Sequence, residues 1–228
     1  MGDSSQSGHE GAGTNQDNKN LVQEDLLPRA FLINHKKQLR HDCLQIEQLE
    51  IWFSSVKNIS NKVIGAYLQS LLITGARRGE LAELKWEYVD TNWKTITIRD
   101  KINSRRTIPL TPYVEFLLNT LPKLNEFVFS SKSREGFIKE PRIAHNAAIQ
   151  KAGLPHLTIH GLRRSFGTLA EWVDCPVGIS AQIMGHAPSA LAEKHYRQRP
   201  IDLLRKWHIE IENFILEKAR INLPSPPI

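Results

Sequence analysis

Cysteine is nearly absent from this 228-residue chain. Cys43 and Cys175 alone cannot build a disulfide framework or a four-thiolate zinc site, and so few thiols suit a reducing compartment. No run of about 18 apolar residues exists to span a bilayer, so no membrane association is expected. A basic-then-apolar signal pattern is missing at the N-terminus, which sets the expectation of a cytoplasmic protein. The phosphate-cradling pattern G-x-x-x-x-G-K-S/T is absent too, and the chain carries no internal repeat. What remains is an ordinary 40% hydrophobic content, enough to bury a core at this length, and a basic balance of 30 Lys and Arg against 24 Asp and Glu, net +6. That excess points to an acidic partner, nucleic acid above all.

The charge is not evenly spread. Residues 1–20 contain only Met1 and Ala12 as apolar residues and hold three acids against one base. Such a stretch cannot offset its own ordering entropy. The reading is a disordered or extended tail and linker over 1–43, followed by one folded domain over 44–228. Without residues 1–20 the chain keeps 29 basic and 21 acidic residues, a net +8.

Periodicity predicts helices over 44–57, 62–74 and 78–86. Alternating β-branched runs then predict strands over 94–99 and 106–110, joined by the polar turn 100–105. Prolines open two further helices, over 112–121 and 141–151. Thr158 is the expected N-cap of a helix over 159–173 with the apolar stripe Ile159, Leu162, Phe166, Leu169 and Val173. A short helix ends at Gly185, and a last one starts near Pro200-Ile201-Asp202. The expected class is α+β, mostly helical, with a small antiparallel β-sheet.

Chemistry concentrates in three places. On the helix after Thr158, His160, Arg163, Arg164 and Gly167 share the face away from the apolar stripe, near an N-terminus that itself favours anions. Arginine forks fit phosphate oxygens in pairs, although such a run can equally be a solvated basic face. In Thr74-Gly75-Ala76-Arg77-Arg78-Gly79-Glu80-Leu81, Arg77 sits in a break between helices with Glu80 three residues on, which could be no more than a corner with a local ion pair. Third, Met184-Gly185-His186 is followed by Lys194-His195-Tyr196-Arg197, whose positive neighbours lower the cost of a phenolate at Tyr196. His156 and His160 have the i, i+4 spacing of zinc ligands but lack the glutamate of the metalloprotease pattern, so no metal site is expected.

Taken in order, TGARRGEL, DKINSRRTIPL, HGLRRSFGT, MGH and a terminal Tyr196 resemble the tyrosine recombinase (phage integrase) family, over roughly residues 45–217, and in particular the catalytic domain of prophage or genomic-island integrases. The resemblance implies a catalytic set of Arg77, Lys101, His160, Arg163, His186 and Tyr196, supported by Glu80. Arg77 and Arg163 would clamp a scissile phosphate, His160 would hold it or move a proton, and His186 would donate to a non-bridging oxygen. Lys101 would protonate the leaving 5′-oxygen, and Tyr196 would form a 3′-phosphotyrosyl link. Neither metal, ATP nor any other cofactor is implied. Arg105, Arg106, Arg164, Lys194 and Arg197 are the expected further phosphate contacts. The partner implied is double-stranded DNA carrying an attachment site, on which copies of the chain assemble through the C-terminal segment. Leu204, Trp207, Ile211 and Phe214 of the last helix could dock in trans or pack in cis. Residues 21–43 are too short for the helical DNA-binding domain that most family members carry ahead of the catalytic one. A type IB topoisomerase and a non-catalytic DNA-binding module are the alternative functions.

Overall fold

The computed structural model describes residues 42–99, 105–186 and 199–222. The expected tail, the hairpin tip with Lys101, and the segment holding Lys194, Tyr196 and Arg197 lie outside the described residues.

A 3-10 turn at Ile46–Gln48 leads into α1, Leu49–Lys57. Next comes α2, Lys62–Thr74, whose N-terminus is capped by Asn61 Oδ1 accepting from the amides of Val63 and Ile64. Every residue of α2 from Gly65 to Thr74 is buried, so it is the central helix of the fold rather than an amphipathic surface one. Its polar members are satisfied locally. Gln69 donates to the Gly65 carbonyl and accepts from the Tyr113 hydroxyl, and Thr74 donates to the Ser70 carbonyl.

The short helix α3, Arg78–Ala82, ends four residues before the predicted limit. Leu84 turns into the core and its carbonyl accepts from Val128, while the Trp86 amide donates to Glu126, so the backbone is committed to a crossing segment. That segment also supplies a strand the sequence pattern did not reveal, β1 at Val89–Asp90. It pairs antiparallel with β2, Thr95–Arg99, which pairs with β3, Arg105–Pro109, in the order β1-β2-β3. Pro109 is tolerated because β3 is an edge strand. Asp90 makes the β1–β2 turn by accepting from the amides of Asn92 and Trp93, with Lys94 at φ 51°.

Four more elements close the domain: α4 (Pro112–Asn119), α5 (Arg142–Lys151), α6 (Ile159–Glu171) and α7 (Val177–Met184). The last helix, α8 (Ile201–Lys218), packs against β3 and α7 and reaches α1, α2 and α6. Leu204, Ile211, Ile215 and Leu216 are buried, and in this structure α8 packs in cis on its own domain. Two buried polar side chains fix its position. His208 Nε2 lies 2.9 Å from the Ile73 carbonyl at the end of α2. Glu212 accepts from the Thr111 hydroxyl and from the Tyr113 amide at the start of α4. Among the described residues, no helix is long and apolar enough to cross a membrane.

Candidate active site

Two helix ends and one helix start meet at a single place. α2 stops at Gly75 and α7 stops at Gly185, both in the left-handed conformation with φ of 59° and 74°. The left-handed φ favours glycine at both, and a side chain at either would meet a neighbour. A Cβ on Gly75 would lie 2.5 Å from the Phe166 ring, and one on Gly185 would lie 2.7 Å from the Arg106 guanidinium. The terminal carbonyls that these caps expose carry the negative ends of the helix dipoles. They receive arginines. Arg163 Nη1 donates to the Gly75 carbonyl at 2.6 Å and to the Met184 carbonyl at 2.7 Å, and Arg77 Nη2 donates to the Gly185 carbonyl at 3.1 Å.

Arg163 is 4% exposed, which rules out for this residue the alternative reading of the run as a solvated basic face. The reason is geometric. α6 is packed by α2 on one side and α7 on another, so the face bearing Arg163 is covered, and the two helix-end carbonyls compensate the guanidinium for lost water. Arg164, one residue on, points elsewhere, pairing with Asp42 and reaching the Thr158 hydroxyl. Thr158 caps α6 by accepting from the Gly161 amide at 2.9 Å and donates to Asp42 at 2.6 Å. Gly161 fits under this latch because a Cβ there would come within 2.6 Å of the Asp42 carbonyl oxygen. The N-terminal turn of α6, which carries the exposed His160, is thereby held in place.

Behind Arg77 stands Glu80, 9% exposed. Its Oε1 accepts from Arg77 Nη1 at 2.5 Å, while Oε2 accepts from the Arg77 amide at 3.0 Å and from Arg106 Nη2 at 2.7 Å. Burial alone would raise the Glu80 carboxyl, but hydrogen bonds from Arg106 and Arg77 reverse that and hold it below its ordinary range. Both histidines are lowered as well, which for a base favours the uncharged form. His160 is lowered first by burial and then by Arg164 and Arg163; His186 is lowered by burial, then by Arg163, Arg77, Arg106 and His160. Both are therefore biased toward neutral imidazoles, exposed at the mouth of a cationic site.

Of the expected site residues, the fold gathers Arg77, Glu80, His160, Arg163 and His186. Arg106, expected as a further phosphate contact, stands beside them: its side chain is 15% exposed and ion-paired to Glu80. Arg105 lies apart, at the base of the hairpin, where its guanidinium and that of Arg99 both sit over the Tyr88 ring. Neither the Asp42 latch nor the Glu80–Arg106 pair was apparent from spacing, since each joins residues far apart in the chain. Among the described residues, no group of three or more His, Cys, Asp or Glu side chains is placed to hold a metal ion.

The sequence model of the phage integrase family matches residues 38–200. The chain belongs to the phage integrase family. It is 59% identical over 191 residues to prophage integrase IntF of Escherichia coli (strain K12), an alignment covering 81% of this chain and 41% of that protein. With prophage integrase IntA of the same organism it shares 28% identity over 134 residues, 56% of this chain and 32% of the other. The chain thus spans less than half the length of these curated relatives. Among solved structures, the integrase from mycobacterium phage Brujita superposes with a TM-score of 0.60 at 22% identity, over 77% of this chain and 59% of that one. XerH site-specific recombinase bound to its difH substrate gives 0.55 at 24%, over 78% and 52%. A lambda integrase dimer bound to a COC′ core site gives 0.57 at 17%, over 72% and 63%. At such identities the likeness is one of fold, and the fold of this integrase-family chain is that of tyrosine recombinase catalytic domains.

Proposed function

We propose that the chain is the DNA-cleaving and rejoining part of a site-specific recombinase. The observation that carries this reading is the convergence of Arg77, Arg163, His160 and His186 from three separate chain segments onto one site, with both guanidiniums braced by glycine-capped helix ends. Such an arrangement suits a phosphodiester. Arg77 and Arg163 neutralise charge that builds on the non-bridging oxygens as phosphorus becomes five-coordinate, and preorganised donors of this kind contribute about 10²–10³ in rate each. His186 donates a hydrogen bond to one of those oxygens. His160 holds the phosphate or relays the proton of the nucleophile.

The nucleophile is Tyr196. Its phenolic oxygen attacks phosphorus, the bond from phosphorus to the 5′-oxygen breaks, and Lys101 gives that oxygen its proton. The product is a 3′-phosphotyrosyl ester and a free 5′-hydroxyl. Rejoining reverses each step, with a 5′-hydroxyl of the same or another duplex attacking the ester. The ester conserves the energy of the broken bond, so the reaction needs no ATP, and cationic side chains supply the charge that a two-metal nuclease takes from ions.

The partner is double-stranded DNA carrying an attachment site, met in the cytoplasm. XerH and lambda integrase are described in complexes with DNA, the latter as a dimer and as a tetramer on a Holliday junction. By extension, copies of this chain assemble on DNA through the C-terminal segment. Arg105, Lys194 and Arg197 add phosphate contacts, so affinity falls steeply with salt.

The test is trapping at low salt on a library of nicked duplexes with randomised cores, in which cleavage releases a short strand and leaves the enzyme attached. The parent chain forms a covalent adduct, and Tyr196→Phe forms none while still shifting DNA in a gel. An adduct from Tyr196→Phe at the parent's level contradicts the assignment. Relaxation of a supercoiled plasmid without recombination of any site pair contradicts the recombinase reading in favour of a topoisomerase.

A further inference from the structure

The sequence places Arg106 in a basic hairpin, where it looks like one more surface cation. Its surroundings are those of an internal brace. Nη2 donates to Glu80 Oε2 at 2.7 Å and Nε donates to the Ile183 carbonyl at 3.2 Å, in the last turn of α7. The guanidinium lies flat against Gly185, so closely that any Cβ there would displace it. One side chain on β3 thus touches the carboxylate behind Arg77 and the helix end that leads into His186.

We infer that Arg106 is a positioning residue of this site, which locks β3 to the Glu80–Arg77 pair and to the Gly185 turn so that Arg77 and His186 face one phosphate together. The inference rests on the phosphodiester reading above. Glu80 is shared between two guanidiniums, and that sharing has a chemical consequence. With Arg106 present, the carboxylate divides its charge, and Arg77 keeps net positive charge for the substrate. Without Arg106, Glu80 is left to neutralise Arg77 alone, and the Ile183 carbonyl loses its donor. Lysine cannot replace it fully, because one ammonium does not reproduce the planar fork that reaches both acceptors.

The experiment compares the parent with Arg106→Gln, Arg106→Lys, Glu80→Gln and the Arg106→Gln/Glu80→Gln double variant on the trapped duplex. Readouts are the adduct rate at saturating DNA, the Kd across a salt series and the thermal midpoint. A positioning role predicts a 10–100-fold slower adduct rate for Arg106→Gln at unchanged Kd and salt slope, with partial recovery in Arg106→Lys. It also predicts that the double variant is no slower than the slower single one, since both act through Arg77. A salt slope reduced by about 0.9 with a normal saturating rate would make Arg106 a phosphate contact and overturn the inference. Multiplying rate losses in the double variant would overturn it as well.

A second readout does not depend on turnover. The His186 ring resonance, followed by NMR, shifts in folded Arg106→Lys relative to the parent, because the Gly185 turn has moved; an unmoved resonance contradicts the brace. If the parent chain forms no adduct with any duplex, the DNA-cleaving reading fails, and the histidine resonance alone decides whether Arg106 positions this turn.

Discussion

Arg163 illustrates how a buried guanidinium can be held by backbone carbonyls at helix ends. The Gly75 and Met184 carbonyls give it two acceptors where solvent is excluded, and they would be orphaned if it were removed. Arg163→Met should therefore cost about 2–5 kcal/mol of folding stability, read as a lower urea midpoint, in addition to any loss of activity. The neutral bias of His160 and His186 makes a second residue-scale prediction. Burial and neighbouring cations depress both, so an anion in the site should raise both. NMR titration should find each midpoint below that of an exposed histidine in the free protein, and moving upward with added inorganic phosphate. Midpoints indifferent to phosphate would argue that the imidazoles do not face the anion site. At this scale the motif residues were legible, because TGARRGEL, HGLRRSFGT and MGH name Arg77, Glu80, His160, Arg163 and His186 directly. The burial of Glu80 and Arg163 was not, since helical spacing assigns a residue to a face but does not say what covers that face.

Among the elements, α6 carries two residues of the site, His160 and Arg163, and is anchored at its start. Thr158 caps it while holding Asp42, which in turn pairs with Arg164. Asp42 is pushed up by burial, and its bonds to Thr158 and Arg164 more than reverse that and hold the carboxyl below its ordinary range. Thr158→Ala removes both the cap and the latch, with an expected cost of about 1–2 kcal/mol and a thermal midpoint lower by about 2–8 °C. Thr158→Ser should recover most of it. An unchanged midpoint in the alanine variant would show that the latch contributes nothing. The strong period-3.6 and period-2 segments were readable from sequence, as α2, α4, α6, β2 and β3 attest. The early end of α3 and the strand β1 were not, because both depend on pairing with residues about 40 positions downstream or on β2.

At the scale of the whole molecule, α8 ties the site to the core through His208 and Glu212, and those groups make stability depend on pH. Burial lowers His208 to about 4, and burial with the charge of His156 lowers His145 to about 4, where it accepts from the Trp52 indole. The unfolded chain takes up these protons near 6.5 and the folded one only near 4, so acidification across that window removes stability, on the order of 3 kcal/mol per histidine. Glu212, raised by burial to about 7, works against them. The folded state keeps its proton up to about 7, whereas the unfolded carboxyl releases it near 4.5, so acidification across that window restores a comparable amount for this one group. Two histidines outweigh one glutamate, so the urea midpoint should be lower at pH 4.5 than at pH 7, and Glu212→Gln should steepen the fall. A flat profile in both proteins would contradict the buried neutral histidines.

The net positive charge seen in composition now has a location in part, around Arg77, Arg106 and Arg163 with one buried carboxylate among them. Whether that charge serves a covalent strand transfer is decided most directly by identifying the linked residue. Adduct trapped on the nicked duplexes is digested with trypsin and nuclease and sequenced by mass spectrometry. A 3′-nucleotide remnant is expected on the phenolic oxygen of Tyr196 in every linked peptide; a remnant on any other side chain, or no adduct with any duplex, contradicts strand transfer through Tyr196.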